Sequence, residues 1–176
     1  MTTVAKSDHE TSAVRRVFSF PDPVNEVSAR LVAGGVLVFT VLIIAFNLKW
    51  ATPLLAYGFV ARVLSGPTLS PLGQLVTRVI TPRLDVPEKL VAGPPKRFAQ
   101  GMGVAFSVTA LVLTLLGEWG AAQIVLGLLA GAALLESVFA ICLGCKVFAV
   151  LMKLGVVPEE VCERCNNIWA NTPGAA

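Results

Sequence analysis

The sequence predicts an all-α integral membrane protein with four transmembrane helices, an interfacial amphipathic helix and a cytosolic C-terminal helical tail. Three observations predict it. Of the 176 residues, 55% are hydrophobic and only 14% charged, where soluble domains carry about 25% charged residues. Uncharged apolar runs long enough to cross a bilayer recur along the chain. The lysines and arginines, finally, gather in alternate connections between those runs. The length suits one domain, and a net charge of +3 makes no case for nucleic acid. The expected partner is the lipid bilayer.

Residues 1–23 read as a flexible cytosolic tail, with Lys6, Arg15, Arg16 and the Pro21-Asp22-Pro23 break. It holds the lone histidine, His9, which is expected to be solvated and receives no role. Residues 1–30 lack the apolar core of a signal peptide, so the first apolar segment is expected to stay as an anchor. The membrane domain then occupies 24–154. Its first span is Leu31–Leu48, 18 uncharged residues bracketed by Arg30 and Lys49, which can snorkel to the interfaces. Trp50–Ser65 contains Pro53 and Arg62 and ends at Gly66-Pro67. By length it could be re-entrant, but charge parity makes it the second span.

Gly66–Arg97 is a long connection with Arg78, Arg83, Lys89, Lys96 and Arg97. Within it Leu72, Leu75, Val76, Val79 and Ile80 recur at helical spacing, after a Ser70 cap and Pro71 and before Pro82. That is the interfacial helix, or equally one packed on the protein. Phe98–Gly117 gives 20 uncharged residues for span three, Glu118-Trp119-Gly120 turns, and Ala121–Ile141 is span four, interrupted only by Glu136. Gly101, Gly103, Ala105, Gly127, Gly131, Ala132 and Ala133 would let these helices approach closely.

Four Lys/Arg precede span one, five lie in the long connection and three follow Ile141, against Lys49 alone in the opposite turns. Four spans place the three basic segments on one face, which the positive-inside rule assigns to the cytoplasm. The expected location is the bacterial inner membrane, multi-pass, with both termini cytosolic.

Two chemistries stand out. Arg62 and Glu136 are the only charges within predicted spans and fall at similar depth, so an intramembrane ion pair is expected. A structural clamp outweighs a polar functional site. The cysteines form Cys142-Leu-Gly-Cys145 and Cys162-Glu-Arg-Cys165, together C-x2-C-x16-C-x2-C. That spacing fits one tetrahedral Zn²⁺ on Cys142, Cys145, Cys162 and Cys165. Equally, each pair could close a dithiol/disulfide couple.

If span four continues, Lys146 lies one turn beyond Cys142 and favours its thiolate, while the helix C-terminus opposes it. Val147, Val150, Leu151 and Leu154 form a second stripe facing membrane or bundle, and Gly155 stops the helix. In the cytosolic tail, 155–176, Pro158 opens a short helix with Glu159 and Glu160 in its first turn and Cys162 and Cys165 one turn apart. A reducing cytosol argues against static disulfides. No nucleotide, haem or flavin motif is present.

Val24-Asn25-Glu26, Ser70-Pro71-Leu72-Gly73, Pro95-Lys96-Arg97-Phe98-Ala99-Gln100-Gly101 and Cys142-Leu-Gly-Cys-Lys146 resemble one bacterial group, domain of unknown function four-three-nine-five. The resemblance covers about 24–153 and implies a small integral membrane protein without supplying an activity. It also implies partners among thioredoxin-like or sulfurtransferase proteins. A fixed pair at the membrane and a second pair on a tail suit a thiol-redox or sulfur-relay accessory. Cys142 and Cys145 would react, aided by Lys146, and Cys162 and Cys165 would exchange with them. The competing reading is a non-catalytic scaffold with structural zinc.

Overall fold

The computed structural model describes residues 23–84 and 89–155. Helix α1 is Glu26–Ala45, opened by Asn25, whose Oδ1 accepts the Val27 N–H at 2.9 Å. Ahead of it, strand β1 (Val24–Asn25) pairs antiparallel with β2 (Leu90–Val91), Val24 opposite Val91. The Glu26 N–H donates to Lys89 O at 2.8 Å, and the Lys89 ammonium lies 2.7 Å from the Glu26 carboxylate. The long connection is thereby pinned to the start of α1.

After a 3-10 turn at Lys49–Ala51 comes α2, Thr52–Ser65, ended by Gly66 at φ 61°. Then Ser70 Oγ accepts the Gly73 N–H at 3.3 Å and caps the short α3, Pro71–Leu75. The predicted amphipathic helix is present but irregular. It widens into a π-type stretch over Val76–Ile80 and tightens to 3-10 at Thr81–Arg83. Leu72 packs on Gly35 of α1, Gly73 sits against Pro67 and Ser70, and Val76 is buried, while Leu75 and Val79 point outward.

The remaining helices are α4 (Gly93–Leu115), α5 (Trp119–Phe139) and α6 (Leu143–Lys153). Among the described residues α1, α4 and α5 are long and apolar enough to cross a membrane. The 14 residues of α2 reach only about 21 Å at 1.5 Å per residue. Helices α1, α2, α4 and α5 form an up-and-down bundle in which α1 packs on α5, α2 on α4, and α4 on α5. Its core is Val36, Ile43, Leu55, Phe59, Ala110, Leu126 and Leu129. Val38, Ile124 and Val138 face outward, whereas Thr40, Arg62, Lys96 and Ser107 are buried. Apolar outside with polar groups inward is the distribution a bundle in lipid requires.

One end of the bundle is closed by Asn47, itself in the left-handed region at φ 50°. Its Oδ1 accepts from Trp119 Nε1 at 2.7 Å and Gln123 Nε2 at 3.2 Å, joining the α1–α2 and α4–α5 turns. Lys49 stands over the Trp119 ring at 5.6 Å. The strands, α3 and α6 all lie at the other end. Of the predicted close-approach glycines, Gly103 alone meets a neighbour, since a Cβ there would enter the Phe59 ring; Gly101, Gly127 and Gly131 face open space. Those three lie on faces that no neighbouring helix covers.

Candidate functional site

The dithiol site begins where α5 stops. Span four is expected to end at about Ile141, with continuation through Cys142 left open; Ala140 is left-handed at φ 56° and the helix ends at Phe139. The reason is tertiary. Arg30 of α1 donates from Nη2 and Nε to Ser137 O at 3.1 and 3.3 Å, and from Nη2 to Val138 O at 3.3 Å. Together with Ile141 N–H on Leu135 O at 3.0 Å, it fills carbonyls that a helix end leaves without partners. Arg30 therefore caps α5 instead of snorkelling outward.

The chain re-enters helix at Leu143 with Cys142 as N-cap, its Sγ accepting the Cys145 N–H at 3.3 Å. This reverses the expected electrostatics. Cys142 lies at the positive end of α6's dipole, where a thiolate is favoured. Both thiols are free, Cys142 buried and Cys145 half-buried. The Cys145 thiol hydrogen-bonds to Cys142 sulfur and holds its pKa below the ordinary cysteine value, with Lys96 adding to the effect and burial and Glu136 opposing it. The same bond keeps the proton on Cys145, whose pKa is pushed far up, reinforced by burial. The pair therefore divides into a sulfur with thiolate character and a partner that keeps its proton.

Gly144 makes this placement possible. A Cβ there would lie 2.5 Å from Ala99 Cα and Cβ, so only glycine lets α6 start against α4. Phe148, one turn on, is buried and stacks obliquely on Phe98 with ring centroids 5.6 Å apart. Of the stripe expected to face membrane or bundle, Val147, Val150 and Leu154 are exposed on the side away from the bundle. Gly155, at φ 71°, closes α6.

Beneath the sulfurs lies an ion pair different from the expected one. Glu136 is held by Lys96, Nζ to Oε1 at 2.7 Å, with both side chains largely buried. Arg62 forms no ion pair with Glu136; its Nε donates to Gln100 Oε1 at 3.1 Å and its guanidinium covers the Phe59 ring at 4.4 Å. The expectation fails because span three was set to begin at Phe98. The helix begins at Gly93, which turns Lys96 inward. Pro94-Pro95, suited to a first helical turn, is the sequence signal that marks this start.

Lys146 is exposed and shares with Lys96, Glu26, Cys142 and Cys145 an open cavity of about 450 Å³ on the polar end. Lys96 is the cation that acts on both sulfurs. A second cavity, of about 240 Å³, lies inside the bundle, and Cys142 and Glu136 form part of its wall. Cys142 thus borders both spaces. Cys162 and Cys165, with the expected tail helix, lie outside the described residues. Among the described residues no cluster of three His, Cys, Asp or Glu side chains could hold a metal.

Fold and site define a helical bundle with three membrane-length helices and a CxxC dithiol at the N-terminus of a surface helix. The chain belongs to the family described as Domain of unknown function (DUF4395), whose model matches residues 24–153. The match runs from β1 to the last residue of α6 and takes in Arg30, Lys96, Glu136, Cys142 and Cys145. No curated protein and no solved structure matches the chain.

Proposed function

We propose that the protein is a thiol-redox or sulfur-relay accessory of the bacterial inner membrane in which Cys142 and Cys145 are the reactive couple. In this reading α2 is a shortened fourth crossing over a locally thinned bilayer. Both termini and the cysteines face the cytoplasm. A thioredoxin-like or sulfurtransferase protein engages the open cavity between Lys96 and Lys146. What supports the reading is one observation: Cys142 sulfur caps α6 and accepts from Cys145, which favours a thiolate beside a retained thiol.

The exchange step balances without a further reagent. Cys142 thiolate attacks one sulfur of a partner disulfide, forming a mixed disulfide and expelling the partner's first thiolate. Cys145 then gives up its proton and attacks Cys142 Sγ. The Cys142–Cys145 bond forms and the partner leaves as a dithiol. The reverse sequence reduces this protein.

The test is alkylation of the reduced full chain across pH, followed by poising in dithiothreitol redox buffers. Because the Cys142 pKa is lowered, its alkylation rate should rise and level off at lower pH than that of a free cysteine, whose pKa is about 8.5. Cys145 should stay unreactive over that range, and one disulfide should titrate as a two-electron couple. The zinc reading predicts otherwise. Stoichiometric zinc in protein purified under reducing conditions, lost on Cys142→Ser and on Cys162→Ser, would replace the redox proposal.

A further inference from the structure

We propose that the cavity inside the bundle beneath Cys142 binds a membrane quinone, which takes two electrons from the Cys142–Cys145 dithiol. This rests on the dithiol reading above. The cavity is walled by all four bundle helices, through Val36 of α1, Phe59 of α2, Phe106 of α4 and Leu129 of α5. Its polar groups, Gln100, Glu136 and Cys142, belong to the end of the bundle that carries α6. Leu128 and Leu143 also line it while being 60% and 41% exposed on the bundle surface. They mark an opening toward lipid, separate from the polar cavity that holds Lys146.

Three constraints select the ligand class. An apolar cavity of about 150 Å³ already holds benzene, so one of about 240 Å³ accepts a ring bearing two carbonyls, with a tail left in the bilayer. The ring must meet a polar end, because an acyl chain there would leave buried polar groups without partners. Gln100 is oriented for this. Its carbonyl oxygen is committed to Arg62, and since arginine only donates, the amide N–H₂ is the group presented to a quinone carbonyl. Finally, a dithiol gives up electrons in pairs, which a quinone accepts. Charged soluble thiols suit the polar cavity instead.

Cys142 thiolate adds to a quinone ring carbon, moving an electron pair onto a carbonyl oxygen, which is protonated. Deprotonated Cys145 attacks Cys142 Sγ. The S–S bond forms, the S–C bond breaks, and the pair leaves with the ring, which takes the second proton as quinol. Two electrons and the two thiol protons pass from dithiol to quinone.

The experiment uses the full chain carrying Cys162→Ser and Cys165→Ser, reduced and reconstituted in liposomes, with a short-tailed ubiquinone analogue followed by its ultraviolet absorbance. One quinol should form per Cys142–Cys145 disulfide, with saturable kinetics. Ala132→Phe fills the cavity and should slow quinone reduction at least tenfold. It should leave oxidation by glutathione disulfide unchanged. Leu128→Trp, at the exposed rim, should slow it likewise and serves if the interior change prevents folding. The quinone site is overturned if glutathione disulfide oxidises the pair but the analogue is not reduced. It is equally overturned if the folded variants reduce the analogue as fast as the parent. If neither oxidant closes the disulfide, the dithiol reading falls with it.

Discussion

Lys96 and Glu136 pull the Cys142 thiolate in opposite directions, the ammonium favouring it and the carboxylate opposing it. Lys96→Met should therefore raise the Cys142 pKa and slow its alkylation at neutral pH several-fold, in proportion to the thiolate lost. Glu136→Gln should speed it. Lys96→Met also leaves a largely buried carboxylate unpaired, which destabilises by about 3–5 kcal/mol; the double variant should recover most of that loss in detergent melting. Equal alkylation rates in all forms would remove the pair from thiol tuning. The sequence singled out Glu136, Cys142 and Cys145, which line neighbouring cavities at one end of the bundle, because a carboxylate in an apolar run and a CxxC are local signals. It misassigned the carboxylate's partner, because which cation turns inward depends on where α4 begins.

The break between α5 and α6 sets the polarity of the dithiol. No proline or glycine occupies 139–142, so no local breaker marks the stop. The stop is imposed by Arg30, 107 positions upstream of Ser137, and by the fit of Gly144 on Ala99. Neither is visible in a local window. Gly144→Ala should push α6 off α4, destabilising the protein by about 1–3 kcal/mol and making Cys142 more accessible to alkylation. Ala99→Gly in the same chain should restore neither, because the clash includes the Ala99 Cα, which glycine retains. Melting temperature and labelling rate are the readouts, and an unchanged single variant would show that α6 is not held there. The Ser70 cap follows directly from residue type, as does the Gly155 stop.

For the bundle as a whole, apolar runs located three membrane-length helices to within a few residues at their far ends. The starts of α1 and α4 lie about five residues earlier than read, because first turns carrying charge and proline look like loop. The proposed topology has a direct test in a cysteine-free background. Glu118→Cys, at the turn joining α4 and α5, should react with a membrane-impermeant maleimide in intact cells. Lys153→Cys, at the end of α6, should react only in inverted vesicles. The opposite pattern would turn the dithiol outward. The pairing of α1 with α5 and of α2 with α4, while α1 and α2 scarcely touch, also bears on biosynthesis. In the proposed four-span topology each early helix enters the bilayer long before the surface it fits has been translated, and contacts this distant in sequence form slowly. The first hairpin must wait in lipid with Arg62 unmatched until Gln100 arrives. That makes the nascent half-protein, rather than the finished bundle, the species that most needs an insertase or chaperone at its side.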